Sequence, residues 1–385
     1  MTDAPSKRPW RTRFENGVIR GDELFDAAVR RIFKRRPNHI AAYRSFADAQ
    51  GVELMGRLLG EKPLGGPGER DSPWRNLRNT YKRFATHEVP FTRMRATFGD
   101  AHVEVDTDNE GYYFASFAPK TALGDALWMH ADVALADGTL ATKQPVLQVL
   151  PHARIGIISD IDDTVLQSSI TDWKTAAQLV FLGNARTRKP LLGVAKLYAA
   201  LQAGVNPLFY VSSSPWNLYD LLEDFMRLNE IPPGPIFLRD MGTDTGKFIK
   251  TPGHGHKLEH ARTLIARNPQ LRWVLLGDSG QADAELYATA AQQFGDRIAA
   301  IYIRDVDPDV DSPLDQGVDA WIGKVAGTKV PMLRAKDSVA IAEHAASIGL
   351  IDPGMIPEIV AEVHKDAARP TVTEAAAKEA VHGAK

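Results

Sequence analysis

Three aspartates within four residues make one segment of the sequence the strongest candidate for a catalytic or metal-binding site. This segment is Arg154-Ile-Gly-Ile-Ile-Ser-Asp-Ile-Asp-Asp-Thr164. An apolar stretch precedes Asp160, Asp162 and Asp163, so we expect their carboxylates at the end of a buried strand, where they repel one another unless a cation is present. Oxygen ligands favour a hard divalent ion such as Mg²⁺. An EF-hand calcium loop is disfavoured, because it needs a preceding helix and a glycine at its sixth position, which here is Val165. A turn held by aspartate hydrogen bonds is the remaining alternative.

Two aspartates two residues apart can divide the work of phosphoryl transfer. Asp160 can attack phosphorus as a carboxylate if a metal ion offsets the charge repulsion. Asp162 can protonate the leaving alkoxide and then activate water to hydrolyse the acyl phosphate. The pair therefore indicates a phosphatase.

Three further polar signals are expected at strand ends or helix starts, where open α/β sheets place their active sites. Ser212 follows an apolar run and can donate a hydrogen bond to a phosphate oxygen. Lys257 is expected to open a helix, where the dipole disfavours a cation, and can neutralise a transferring phosphoryl group. Asp278 and Asp283 follow another apolar run and offer metal ligands. Each signal alone also fits an ordinary turn or a solvated side chain, but their order along the chain makes the combination specific.

The elements that position these residues follow from the hydrophobic pattern. After Pro151, apolar strands alternate with amphipathic helices, which predicts a parallel α/β sheet; the strands are Ile155–Ser159, Pro207–Val211, Pro235–Leu238, Trp273–Leu276 and Ala299–Ile303. Between about 38 and 150, shorter alternating runs predict a smaller antiparallel β-sandwich without a catalytic cluster; these runs are Val52–Leu58, Val103–Asp106, Tyr112–Phe117 and Leu127–Leu135.

The chain is accordingly divided into four segments. A basic segment at 1–37 contains an amphipathic helix at 22–36, a β-rich domain follows at 38–150, the catalytic domain spans 151–352, and a C-terminal helix or disordered tail covers 353–385. The helix at 22–36 either docks on the next domain or adheres to anionic lipid headgroups, because basic residues crowd its last turns: Arg30, Arg31, Lys34, Arg35 and Arg36.

Composition narrows the function classes. A formal net charge of −2 gives no overall attraction to nucleic acid, so no nucleic-acid partner is expected. The absence of cysteine excludes disulfides, thiolate chemistry and cysteine-ligated metal sites. The N-terminus has charges where a signal peptide needs an apolar core, and no apolar run is long enough to cross a bilayer. We expect a cytoplasmic protein that contacts membranes at most peripherally; its protein partners and oligomeric state are not specified by the sequence.

Over about 151–325, the motifs resemble the four motifs of the haloacid-dehalogenase-like (HAD) phosphatase superfamily. The resemblance implies a Rossmann-like three-layer sandwich with the nucleophile strand at its centre. The site residues that it implies are Asp160 as nucleophile, Asp162 as acid/base and carbonyl ligand of Mg²⁺, Ser212 and Lys257 as phosphoryl-binding residues, and Asp278 as metal ligand assisted by Asp283. His254 and His256 flank this site and are expected to contact phosphate or belong to a loop rather than bind metal.

A narrower resemblance, to the actin-patch phosphatidate phosphatase family, extends into the β-rich half. It rests on Asp160-Ile-Asp-Asp-Thr-Val, Tyr210-Val-Ser-Ser-Ser-Pro-Trp216, Gly277-Asp-Ser-Gly-Gln-Ala-Asp283, Ile301-Tyr-Ile-Arg-Asp305, Gly56-Arg57 and Thr107-Asp-Asn-Glu-Gly111. It implies Mg²⁺-dependent removal of phosphate from phosphatidate, giving diacylglycerol. In the superfamily, substrate choice depends on the cap between the first two motifs, here Ser168–Leu192, whose apolar residues Trp173 and Leu179–Leu182 suit either a lipid or core packing. A phosphatase for a soluble phosphoester and a non-catalytic binding module are the alternatives.

Overall fold

The computed structural model of the chain describes residues 39–60, 89–121, 123–162, 164–165, 190–239, 255–306, 309 and 312–368. Within these ranges a curled, largely antiparallel sheet precedes a six-stranded parallel sheet covered by helices. The predicted fold class, a parallel α/β domain preceded by a smaller antiparallel β domain, is confirmed. The predicted helix at 22–36, Asp163, His254, the apolar residues between 173 and 182 and the tail beyond 368 lie outside the described residues.

The first sheet contains eight strands in the described ranges: β1 (His39–Ala42), β2 (Ser45–Asp48), β3 (Gly51–Leu59), β4 (Arg93–Phe98), β5 (Ala101–Asp106), β6 (Tyr112–Phe117), β7 (Trp128–Leu135) and β8 (Ala141–Gln148). Their order is β1-β3-β2-β8-β7-β4-β5, with β6 paired to β3. The β2–β8 pair is parallel and the other pairs are antiparallel. Because β5 also contacts β6, the sandwich-like domain takes the form of one sheet that curls back on itself.

Alternating side chains explain why this sheet curls around its own core. Along β4, Met94, Ala96 and Phe98 are buried, while Arg93 and Arg95 between them are exposed. This period of two is the pattern of a strand with one face toward the core and one toward water. The sheet therefore encloses an apolar cluster that includes Leu54 and Val133.

The second sheet contains β9 (Ile155–Asp160), β10 (Leu208–Pro215), β11 (Ile236–Arg239), β12 (Arg272–Asp278), β13 (Ile298–Arg304) and β14 (Met332–Ala335), in the order β11-β10-β9-β12-β13-β14. All pairs are parallel. The α-helices described with it are α1 (Val194–Gln202), α2 (Tyr219–Leu228), α3 (Gly255–Arg267), α4 (Asp283–Phe294), α5 (Pro313–Val325), α6 (Ser338–Ser347) and α7 (Ile356–Ala367). The five strands predicted for this half are confirmed, whereas β14 was not anticipated.

The apolar character of the second sheet follows from its two covered faces. All six residues of β9 are buried, which is typical of a parallel strand with helices on both sides. Ile157 faces the core cluster that contains α1 and α2, and Ile158 faces the cluster that contains α3 and α4. The central strand is thereby held rigidly from both faces.

Contacts between the two halves join them along β2 and α3. Arg267 at the end of α3 forms ion pairs with Asp48, at 2.7 Å, and with Glu53, at 2.5 Å. The ring of Phe46 packs edge-on against Phe209 of β10, with centroids 5.5 Å apart. The described ranges contain no helix with the length and apolar content that a membrane crossing requires.

Candidate active site

The carboxyl ends of three adjacent strands bring the predicted site residues together. Strands β10, β9 and β12 are neighbours and parallel, so their carboxyl ends lie at one edge of the sheet. Asp160 ends β9, Ser212 lies near the end of β10, and Asp278 ends β12. All three residues are completely buried. The polar side chains that follow separate apolar runs therefore share one dry pocket.

A buried lysine faces the predicted nucleophile. Lys257, the third residue of α3, places its Nζ 2.9 Å from Oδ1 of Asp160 and 2.8 Å from Oδ1 of Asp283. Its side chain has no solvent exposure. The alternative of a solvated lysine at this position is therefore wrong, and the ammonium group balances part of the charge of the carboxylates.

The hydroxyl groups of two serines hold Asp162. Its Oδ2 accepts hydrogen bonds from Ser212 Oγ at 2.8 Å and from Ser214 Oγ at 3.2 Å. A hydroxyl carries one proton, so Ser212 can donate to a phosphate oxygen when it releases Asp162. Ser214 was not identified from the sequence, although it belongs to the run of three serines in the quoted motif.

Gln281 was also missed, and it occupies the centre of the site. Its Nε2 lies 3.3 Å from Oδ2 of Asp160, 3.3 Å from the backbone oxygen of Asp162 and 3.0 Å from Oδ2 of Asp278. Lys257 donates to its Oε1 at 3.1 Å, which fixes the orientation of the amide because an ammonium group only donates. Three oxygens thus converge on one electropositive group, and they are the oxygens that the resemblance assigns to a metal ion.

Asp283 reaches the same centre because Gly277 has no side chain. A Cβ on Gly277 would lie 2.5 Å from the Cβ of Asp283, which is too close for any larger residue without rearrangement. Asp283 Oδ2 accepts a hydrogen bond from the backbone N–H of Asp278 at 3.3 Å. Asp160, Asp278 and Asp283 each offer an oxygen within 4.8 Å of the others, so this buried group can hold a metal ion.

Burial and the crowding of carboxylates control protonation at the site. Burial raises the pKa of Asp160 well above its usual range; Lys257 opposes this, and the charges of Asp283, Asp278 and Asp162 add to it. Burial lowers the pKa of Lys257, but the carboxylates of Asp160, Asp283 and Asp278 outweigh it and raise that pKa above its usual value. These shifts favour the charged form of Lys257, and further positive charge would favour ionisation of Asp160.

The structure places His256 against the backbone of β10. Its Nε2 lies 3.1 Å from the backbone oxygen of Ser212, and its ring is buried. Its neighbour Lys257 contacts the carboxylates, so the first turn of α3 contacts both the catalytic cluster and the backbone of β10. His256 is not among the described residues that could share a metal ion with Asp160.

The motif residues of the β-rich half shape a turn. Asp108 Oδ1 accepts hydrogen bonds from the backbone N–H groups of Glu110 and Tyr112, both at 2.9 Å. Arg57 donates to the backbone oxygen of Glu110 at 2.9 Å and lies over the ring of Tyr112, 4.5 Å from its centroid. In this half, the residues that carry the family resemblance therefore stabilise the turn that connects β5 to β6.

The comparison with protein families confirms the resemblance for the second half. Residues 155–305 match the family described as "Phosphatidate phosphatase APP1, catalytic domain". A Saccharomyces cerevisiae protein named "Phosphatidate phosphatase APP1" is 37% identical over 211 residues, which are 54% of this chain and 33% of that protein. An uncharacterised protein of Schizosaccharomyces pombe is 31% identical over 172 residues, 44% of this chain and 28% of that protein. The chain thus spans about a third of the length of these relatives.

Among solved structures, a phosphoserine phosphatase from T. onnurineus in complex with NDSB-201 aligns at 16% identity. The alignment covers 44% of this chain and 94% of that chain, with a TM-score of 0.24. A superposition of this quality adds no evidence about the site, so the interpretation depends on the geometry and on the family match.

Proposed function

We propose, from the premise that residues 155–305 are a catalytic domain of the phosphatidate phosphatase APP1 type, that this chain is a Mg²⁺-dependent phosphatase. The observation that carries the proposal is the completely buried Asp160, whose Oδ1 lies 2.9 Å from Lys257 and whose Oδ2 is one of three oxygens around Gln281 Nε2. Its two carboxylate oxygens thus face different partners. This division of contacts suits a nucleophile beside a cation site.

In the proposed mechanism Asp160 attacks the phosphorus of the substrate and forms an aspartyl phosphate. Lys257 neutralises the attacking carboxylate and the transferred phosphoryl group. Asp283 holds the ammonium group in place through its 2.8 Å contact. The leaving alkoxide takes a proton from Asp162, which then removes a proton from the water that hydrolyses the acyl phosphate.

Ser212 and Ser214 orient Asp162 for these two proton transfers. Their hydroxyls donate to its Oδ2 and thereby fix the orientation of the carboxyl group that gives and takes the proton. As the phosphoryl group arrives, Ser212 turns from Asp162 to a phosphate oxygen. The same serine then positions both the acid/base and the substrate.

The residues that would hold Mg²⁺ are Asp160, the carbonyl of Asp162 and Asp278, with Asp283 in support. The contacts of the Gln281 amide with the first three show that their oxygens already converge on one point. When bound, Mg²⁺ supplies the positive charge that offsets repulsion between the carboxylates and the phosphoryl group. Oxygen-only coordination favours Mg²⁺ over softer metals.

We further propose that the substrate is phosphatidate or a closely related lipid phosphate, and that diacylglycerol and phosphate are the products. The support is the 37% identity to the S. cerevisiae phosphatidate phosphatase. The basic residues at 22–36 would bring the enzyme from the cytoplasm to anionic membrane surfaces, each contributing about 1 kcal/mol near such a surface. A phosphatase for a soluble phosphoester is the alternative.

The experiment compares kcat/KM for phosphatidate in mixed micelles with kcat/KM for soluble sugar and nucleotide phosphates, using the purified chain with Mg²⁺. We expect phosphatidate to be preferred and the Asp160→Asn variant to be inactive on every substrate. A soluble metabolite preferred by about a hundredfold, roughly 2.7 kcal/mol of transition-state binding, would overturn the lipid assignment and leave the phosphatase assignment standing. Inactivity on all phosphoesters would favour a non-catalytic binding module.

Membrane contact has a separate test. Replacing Arg30, Arg31 and Lys34 by glutamine should weaken sedimentation with anionic liposomes, and the loss should be smaller at high salt, where the attraction is screened. A matched control removes three exposed charges from the β-rich half, by replacing Arg93, Arg95 and Lys143. Equal loss in both variants would mean that the segment at 22–36 has no special role.

A further inference from the structure

Aromatic side chains from both halves of the molecule meet at Trp216, the residue that directly follows β10. Its ring stacks on that of Tyr43, with centroids 5.3 Å apart, and on that of Tyr219, at 6.1 Å. The ring of Tyr112 meets it at an angle of 60°, with centroids 6.4 Å apart. All four side chains are buried. These four residues form the aromatic cluster, to which the β-rich half contributes Tyr43 and Tyr112.

The β-rich half holds its two members of the aromatic cluster firmly. Gln144, which is completely buried, donates from Nε2 to the backbone oxygen of Tyr43 at 2.9 Å. The guanidinium of Arg57 lies over the ring of Tyr112, 4.5 Å from its centroid. Arg57 and Trp216 both belong to the motifs that carry the family resemblance, the first in the β-rich half and the second in the catalytic half. The aromatic cluster therefore joins these two groups of motif residues.

The segment between Val211 and Trp216 carries the two serines that hold the catalytic acid, and the sheet pairs this segment irregularly. The pairing of β10 with β9 ends at Val211. From Val211 to Pro215 β10 advances by four residues, whereas β11 advances by two, from Phe237 to Arg239. Such bulges are common beside active sites, where they re-aim side chains. The sheet by itself therefore does not fix the position of the serines.

Contacts outside the sheet hold this segment at its two ends. At its start, His256 of α3 contacts the backbone oxygen of Ser212 at 3.1 Å. The backbone N–H of Ser214 donates to Ser212 Oγ at 2.9 Å, which links the two serines that bond to Asp162. At its end, two residues after Ser214, Trp216 packs in the aromatic cluster. The β-rich half thus holds one end of the segment that orients the catalytic acid.

We infer that Tyr43 and Tyr112 are positioning residues of the phosphatase reaction. Through Trp216 they fix the two serines that orient Asp162. The inference rests on the proposed function and deepens it, because it gives the β-rich half a part in protonation of the leaving group. Asp162 passes its proton to the leaving oxygen as the bond from that oxygen to phosphorus breaks. A loosened aromatic cluster misplaces this proton and leaves the nucleophile, Asp160, in position.

The test compares two substrates whose leaving groups differ in their need for a proton. Phosphatidate releases an alkoxide, which requires an acid, whereas para-nitrophenyl phosphate releases a stable phenolate. Both are measured with the full chain, Mg²⁺ and the same mixed micelles. Because kcat/KM covers the steps up to departure of the leaving group, the ratio of the two values reports leaving-group protonation. A merely structural loss of active enzyme lowers both values equally and leaves the ratio unchanged.

The variant Tyr43→Leu removes the stacked ring and keeps an apolar side chain. Its control is Phe46→Leu, because Phe46 is also 6% exposed and also packs against the catalytic half. The described aromatic contacts of Phe46 are with Phe209 and Phe237 rather than with Trp216. The control therefore loosens the contact between the halves away from the serine segment. Tyr43→Phe keeps the ring and serves as the conservative variant.

We expect Tyr43→Leu to lower kcat/KM for phosphatidate at least tenfold more than for para-nitrophenyl phosphate, since general acid catalysis contributes about a hundredfold or more. Phe46→Leu and Tyr43→Phe should keep the ratio of the unmodified chain within about twofold. An unchanged ratio in Tyr43→Leu, or an equal change in either of the other two variants, would overturn the inference and leave the proposed function intact. If Tyr43→Leu does not fold, Tyr112→Leu replaces it, because Tyr112 meets Trp216 from β6.

Failure of the proposed function gives a different result. If the unmodified chain prefers a soluble sugar phosphate, which also releases an alkoxide, the lipid assignment fails and the same ratio tests the inference with that ester. If the unmodified chain hydrolyses no phosphoester, the proposed function and the inference fail together.

Discussion

Two clusters of carboxylates lie at the same edge of the parallel sheet, and they differ in what balances their charge. In the catalytic cluster, the three donors of Lys257 are used by Asp160, Asp283 and Gln281. The bonds to Asp162 described above come from serine hydroxyls, which are neutral. The first cluster is completely buried, so water cannot screen its charge.

The second cluster gathers Asp305, Asp315 and Asp319 around Arg334 of β14. The guanidinium lies 2.8 Å from Asp305, 2.7 Å from Asp315 and 3.3 Å from Asp319. A guanidinium has five donors in a planar fork, and the side chain of Arg334 is 20% exposed, so water completes the solvation. Clusters of aspartates with one basic residue therefore form a network of ion pairs around Arg334 and a candidate metal site around Lys257.

The largest expected difference between the clusters is in catalysis. Asp160→Asn should lower kcat by more than about a thousandfold, or roughly 4 kcal/mol of barrier, because it removes the nucleophile. Its metal-free melting temperature should hold or rise, because one of several crowded carboxylates is gone. Asp305→Asn is the control and should keep kcat within about threefold. If Asp160→Asn retains activity within tenfold, the nucleophile is another residue.

The next largest difference is in stability. Arg334→Met should lower the free energy of unfolding by about 2–3 kcal/mol, because it removes a cation that lies within 2.8 Å of the buried side chains of Asp305 and Asp315. Denaturant titration measures this loss, and added Mg²⁺ should not restore it. Recovery of stability with Mg²⁺ would show that the second cluster also binds metal, so that the two clusters would not differ in metal binding.

Metal binding should distinguish the clusters without any substrate. Mg²⁺ at a hundred times its dissociation constant should stabilise the unmodified chain by about 2.7 kcal/mol, which a melting curve with and without chelator detects. Asp278→Asn should abolish the shift, whereas Asp315→Asn should retain it. A shift that survives Asp278→Asn would place the ion elsewhere.

The smallest expected effect concerns Gln281. Its amide lies where the oxygens of the site converge, so metal binding requires the amide to move. Gln281→Ala removes this competition and should tighten Mg²⁺ binding by about fivefold, the worth of one hydrogen bond. The control is Gln293→Ala on α4, which removes a different glutamine side chain, the one that accepts a hydrogen bond from Arg262 of α3. Weaker Mg²⁺ binding in Gln281→Ala would instead mean that the amide supports the ligands.

Much of the catalytic half was predictable because its strands are short apolar runs with polar residues at their ends. The expected strand Ile155–Ser159 corresponds to β9, which ends one residue later at Asp160. Lys257 was placed at the start of a helix, and α3 begins two residues before it. In the other half, Tyr112–Phe117 was predicted at the bounds that β6 has. Strands β1, β2, β4, β8 and β14 were not among the predicted strands. The four residues of β1, β2 and β14 include polar or small side chains, whereas the equally short β11 begins with three apolar residues, Ile-Phe-Leu.

The sequence by itself determined which residues end the buried strands, because a parallel sheet covered on both faces demands apolar runs and brings their carboxyl ends to one edge. The tertiary structure alone decided which atoms meet there. Gln281 enters the oxygen cluster and Ser212 bonds to Asp162 because of side-chain directions that no local period encodes. Likewise, Tyr43 stacks on Trp216 only because the curled sheet packs against the parallel one. Local patterns specify elements, whereas contacts between distant residues depend on how those elements pack.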